Sequence, residues 1–262
     1  MRYDKILLNH LIDLGGYSTR NNLYSPTAKT LAGSMLMTNK YYNRFLKEHW
    51  IQKFEPIEFI RDSWRETFFG ITKKGAGYID RGEEWKRGIS RNKSPYNVFH
   101  ESMVRDVTLG FLRLYPDFTA IVSYDKVYKN KGNVIKPDLT LEMNNENKRF
   151  VFLIEIERKK TNDFAKFEKY EKIFTDPKKF NLPDKFKVLV VYANFEYNCF
   201  LRPQEYSVNI DKVNRNYAGL NNLIKKCSNL PDNRYRFLAF PDFYRLNEPI
   251  WITPKGNKVS LI

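Results

Sequence analysis

The run KFKVLVVYANFEY, residues 185–197, restricts most strongly what this chain can become. Successive side chains of a strand point to opposite faces, so a strand wetted on one face alternates apolar and polar residues. From Val188 to Ala193 nothing of the kind happens. Both faces must then be covered, which places the strand in the middle of a sheet with layers packed on either side. Helical patterns on both sides of this strand in the sequence predict an α/β protein, α+β overall, with a mixed sheet.

A second stretch, KPDLTLEMNNENKRFVFLIEIERKK at 136–160, reads as two strands joined by a polar turn at NNENK. Alternation places Glu155, Glu157 and Lys159 on one face and Ile154, Ile156 and Arg158 on the other. A hairpin brings Asp138 beside Glu155. Carboxylates converging at the end of buried strands repel one another unless a cation sits among them. An all-oxygen set suits Mg²⁺ or Mn²⁺, which can activate water and stabilise charge on a phosphodiester. Glu101, near the start of a helix carrying Met103, Val104, Val107 and Phe111, is a further candidate ligand. Lys166 and Tyr170 share one face of the helical stretch KFEKYEKIF. The competing reading is a hairpin with charged edges followed by a solvated helix face.

Charge narrows the partner. Lys and Arg number 45 against 30 Asp and Glu, a net charge of +15 with pI near 9.6, and such an excess calls for a polyanion. The excess is +7 over residues 1–98 and +8 over 99–262, so the shorter N-terminal part is the more densely basic. Cys199 and Cys227 fit neither a disulfide framework nor a zinc finger. The N-terminal residues resemble no signal peptide and no apolar run is long enough to span a bilayer, so a cytoplasmic protein without membrane contact is expected.

The basic segment has its own pattern. Ile6, Leu7, Leu8, Leu11 and Ile12 recur at helical spacing before Gly15-Gly16. In the next stretch Ser18 or Thr19 is a plausible N-cap. TNKYYNRFLKEHW follows, with Thr38 as cap, and Tyr42, Phe45, Leu46 and His49 on one face. Asn39, Lys40, Asn43, Arg44 and Lys47 lie towards the other, a composition suited to a major groove. WIQKFEPIEFI and RETFFGI read as two strands, with Arg61 and Arg65 near the tip between them, placed for a phosphate or minor groove. Helices followed by such a ribbon make a winged helix-turn-helix over residues 1–85; a connection at 86–98 then leads to a second domain at 99–262.

The residues PD at 137–138 and EIE at 155–157 resemble the PD-(D/E)XK nuclease superfamily, with Glu157 standing where that motif has lysine; the resemblance implies catalytic roles for Asp138, Glu155 and Glu157, with Lys159 or Lys166 as the substitute lysine. The order FFGITKKGAGYI, HESMVRD, KPDLTL, FLIEIERKK, KFEKYEKIF resembles the replication-relaxation family of plasmid and mobile-element proteins, in which acid-x-acid is typical of the strand. The resemblance implies a winged-helix DNA-binding region joined to a nuclease-like domain, acting in plasmid replication, relaxation or mobilisation. Double-stranded DNA is the partner it implies, together with a replication or mobilisation enzyme; a homodimer is compatible with it. Three function classes remain: a DNA-binding protein, a metal-dependent endonuclease or nickase, and a transcriptional regulator or adaptor on a dead nuclease fold.

Overall fold

The computed structural model describes residues 3–13, 16–19, 35–54, 68–85, 100, 103–104, 107–108, 110–112, 114–124, 126–130, 132–146, 148–158, 164–194 and 210–262. The chain divides into two compact units, Met1–Leu109 and Gly110–Ile262. The expected connection at 86–98 lies outside the described residues, as do Glu101, Lys159, Arg61 and Arg65.

The first unit contains α1 (Tyr3–Asp13), β1 (Tyr17–Thr19), α2 (Met35–Lys47), β2 (Ile51–Phe54), β3 (Phe68–Ile71) and α3 (Lys73–Tyr78). The strands form an antiparallel sheet in the order β1-β3-β2. Leu7, Leu8 and Leu11 bring the apolar stripe of α1 into a core with Tyr42, Phe45, Trp50, Ile51, Phe69, Ile71, Ala76 and Ile79. Tyr42 meets Phe69 edge-on, with ring centroids 5.1 Å apart.

Ser18 and Thr19 pair with Phe69 and Phe68 as β1, after Gly16 at φ +86° turns the chain out of α1, and the helix expected after them lies outside the described residues. Two local expectations are corrected here. Helix α2 begins at Met35, so Thr38 lies inside its first turns rather than before them. His49 is exposed and off the buried face, because the helix has already ended. His49 takes a left-handed φ of +57°, its N–H donating to Leu46 O at 3.1 Å and the Trp50 N–H to Phe45 O at 2.9 Å. This end motif turns Trp50 back onto Phe45, with centroids 5.8 Å apart.

The second unit is built on a seven-stranded mixed sheet in the order β12-β11-β10-β9-β8-β7-β4. Its strands are β4 (Thr119–Tyr124), β7 (Leu139–Asn145), β8 (Lys148–Arg158), β9 (Lys187–Ala193), β10 (Tyr235–Ala239), β11 (Trp251–Ile252) and β12 (Lys258–Val259). β5 (Tyr128–Asn130) and β6 (Asn133–Ile135) form a separate hairpin. The stretch VIKPDLTLEM is therefore two strands, broken at Lys136–Asp138, where Pro137 has no N–H for a ladder.

β4, β7 and β8 run antiparallel, whereas β8, β9 and β10 are parallel and joined by α4 (Phe164–Thr175) and α5 (Ile210–Lys226). Successive parallel crossovers of one hand, stepping the same way along a sheet, place their helices on the same face. Phe167, Tyr170 and Ile173 of α4 and Leu220 and Ile224 of α5 accordingly share one core with Val151, Leu153, Val188, Val190 and Phe237. On the opposite face Phe111, in a helical stretch ending at Leu114, stacks on Phe152 at 5.9 Å and lies 6.4 Å from Trp251. β9 is thus covered on both faces, and Val188 to Val191 are fully buried.

Candidate functional site

Register first brings the acids together. Leu139 pairs with Ile154 across the β7–β8 hairpin, which sets Asp138 opposite Glu155, and Asp138 Oδ2 accepts the Ile156 N–H at 2.8 Å. Glu155 and Glu157, two residues apart on β8, point to the face covered by α4 and are almost wholly buried, at 1% and 4% exposure.

Helix α4 answers them. Its Phe167, Tyr170 and Ile173 pack into the sheet, and this stripe carries Lys166 over the two acids. Lys166 Nζ lies 2.6 Å from Glu155 Oε2 and donates to Glu157 Oε1 at 2.8 Å. Glu155 Oε2 accepts no hydrogen bond of good angle, so its approach to Lys166 is an ion pair held by charge and proximity. Its other oxygen, Oε1, accepts from the buried Tyr170 hydroxyl at 2.5 Å.

Electrostatics follows from the burial. Desolvation pushes the Glu155 carboxyl up to about 8; Lys166 works against this and the Asp138 charge adds to it. Burial alone would lower the Lys166 ammonium, but the facing Glu155 and Glu157 carboxylates overcome it and hold the group above its ordinary value. Tyr170 is pushed well above its usual range, first by burial and then by Glu155, so its hydroxyl stays a donor. Cys227 is buried, and desolvation followed by the Glu157 charge raises its thiol to about 12, which makes it an inert packing residue.

Of the expected site residues, Asp138, Glu155, Glu157 and Lys166 are thus brought together. Among the described residues no group of three or more His, Cys, Asp or Glu side chains is arranged to hold a metal ion. The ammonium of Lys166 occupies the place between Glu155 and Glu157 instead. Tyr170 was legible as a face-mate of Lys166, but its bond to Glu155 was not.

In the first unit, Lys40, Asn43, Arg44 and Lys47 form one exposed stripe along α2 at three- and four-residue spacing. Asn39 lies on the same helix, but its side chain is outside the described set. Arg44 is not simply a solvated cation: its Nη1 lies 3.6 Å from the buried Asp4 Oδ2, and its guanidinium sits 5.4 Å from the Trp50 ring.

The chain is therefore a mixed α/β protein with an acid–lysine centre on its larger sheet and a basic stripe on its smaller unit. Compared with known protein families, curated proteins and solved structures, it matches none. No helix among the described residues is long and apolar enough to cross a membrane.

Proposed function

We propose that this is a duplex-DNA-binding protein of a plasmid or other mobile element, working in the cytoplasm in replication, relaxation or mobilisation. Its first unit is read as a winged helix with α2 as the recognition helix, and its second as a PD-(D/E)XK-like domain. The convergence of Asp138, Glu155, Glu157 and Lys166 across β7, β8 and α4 carries this reading. Support also comes from the order of elements around it: a helix, three antiparallel strands, a helix, and a strand parallel to the third. The basic stripe on α2 and the net charge of +15 supply the affinity for a polyanion.

The acids offer only oxygen, the donor a hard divalent cation takes, although as placed they are paired with Lys166. Mg²⁺ or Mn²⁺ held by Asp138, Glu155 and Glu157 would supply an activated water and charge stabilisation. Lys166 now holds the same carboxylate oxygens, so an entering ion must displace it.

A second reading, an active endonuclease or nickase, is favoured by that same lysine: α4 delivers an ammonium to the acids although position 157 is glutamate. The test is supercoiled-plasmid relaxation in Mg²⁺ and in Mn²⁺, alongside duplex binding by gel shift. Binding by the wild type supports the primary reading, and its absence sinks it. Nicking by the wild type that Asp138→Ala and Glu155→Ala both abolish establishes the enzyme.

A further inference from the structure

Arg44 stands at the centre of the basic stripe, yet it is the member tied down from behind. Asp4 on α1 is 1% exposed, and each of its oxygens is engaged: Oδ1 accepts the Lys5 N–H at 2.9 Å and Oδ2 accepts the Tyr78 hydroxyl at 2.9 Å. Arg44 Nη1 approaches the same Oδ2 at 3.6 Å, so the buried carboxylate has a cation beside it. Trp50 closes the other side. Its ring lies 5.4 Å from the guanidinium carbon and is itself stacked on Tyr78, with centroids 3.9 Å apart and planes 17° from parallel. Tyr78 therefore braces both holders of Arg44, one through its hydroxyl and one through its ring.

The consequence lies in how guanidinium groups recognise DNA. A free arginine finds a phosphate readily, and that contact leaves sequence unread. A fork aimed at the O6 and N7 of guanine must be fixed in plane and direction beforehand. The Arg44 side chain is 44% exposed, so part of the group still faces outward while Asp4 and Trp50 hold the rest. Its neighbour Lys47 is exposed and carries its ammonium as a point charge on a flexible stem.

We propose that Asp4 is a specificity-determining, positioning residue: with Trp50 and Tyr78 it holds Arg44 for a base edge in the major groove and withholds it from the phosphate backbone. This rests on the DNA-binding reading above. Asp4 itself touches no DNA.

The test uses the full chain, a random-sequence duplex pool and the duplex that the wild type enriches from it. Asp4→Asn keeps the shape and one acceptor, for the Tyr78 hydroxyl; it gives up the acceptor for the Lys5 N–H and the charge that restrains Arg44. Its binding to the random pool is expected to tighten and to grow steeper in salt by about one unit of slope. Discrimination between enriched and random duplex is expected to fall about tenfold, the loss of one bidentate contact. Arg44→Lys, which retains a cation beside Asp4, is expected to lose discrimination similarly, and adding Asp4→Asn to it to lower discrimination no further. Near-UV circular dichroism of each variant reports whether Trp50 and Tyr78 keep their packing. If Asp4→Asn folds and discriminates as the wild type does, or if its effect is undiminished beside Arg44→Lys, the inference is overturned while DNA binding stands. If Asp4→Asn does not fold, discrimination unchanged by Arg44→Lys overturns it by itself. Failure of the wild type to bind any duplex overturns both readings together.

Discussion

The Lys166 ammonium lies 2.6 Å from Glu155 Oε2 and 2.8 Å from Glu157 Oε1, so one cation from α4 bridges two buried acids on β8. Removing it leaves two buried acids without their cation, in a place that water barely reaches. Breaking a buried pair by deleting one partner costs about 3–5 kcal/mol. Lys166→Met is expected to lower stability by about 3 kcal/mol near neutral pH in urea unfolding monitored by circular dichroism.

Glu155 gives the stability a definite dependence on pH. Its ordinary value is 4.5 and burial raises it to about 8 in the fold, so between those values the folded chain holds a proton that the unfolded chain has released. The contribution is complete below pH 4.5 and is lost as pH rises through 8. Glu155→Gln should flatten this decline. Urea midpoints across the interval would show it, and equal slopes for variant and wild type would contradict the assignment.

On the first unit, Arg44→Ala with Lys47→Ala is expected to weaken duplex binding and to reduce the slope of log affinity against log salt by about one, the phosphate contact of Lys47. Binding isotherms at several salt concentrations measure it. Unchanged slopes would remove α2 as the DNA-facing helix.

Gly75 is required by a close approach. A Cβ built there would stand 2.1 Å from Trp50 O, because Thr72 ties α3 to the end of α2: its N–H donates to Trp50 O at 2.9 Å and its hydroxyl to His49 O at 2.7 Å. Backbone cannot yield as a side-chain tip can, so Gly75→Ala is expected to cost about 2 kcal/mol or more. Gly77→Ala is the control, since its Cβ meets nothing within 4 Å. Comparing their thermal midpoints tests the difference.

Much of the second unit was legible because strand periods are short and local. The unalternating run around Val190 announced a strand covered on both faces, and the polar residues near Glu146 announced a hairpin turn. What escaped was local geometry governed by distant partners. β3 recruits Ser18 and Thr19 as a strand through backbone pairing that side-chain pattern does not encode. His49 fell on the apolar face by helical count, but a left-handed residue ended the helix first.

By itself the sequence determined that Glu155 and Glu157 share a face and that a hairpin can set Asp138 beside them, because the two-residue period of a strand needs nothing beyond the chain itself. Tertiary structure alone decided that Lys166 bridges the acids, that Tyr170 donates to Glu155, and that Asp4 lies behind Arg44. The first two depend on how deeply Phe167, Tyr170 and Ile173 seat α4 against the sheet, and the third on the packing of α1 beneath α2. An apolar stripe states which side of a helix is buried. The rotation and depth at which it docks come from the shapes of the side chains it meets, and these lie far away in sequence.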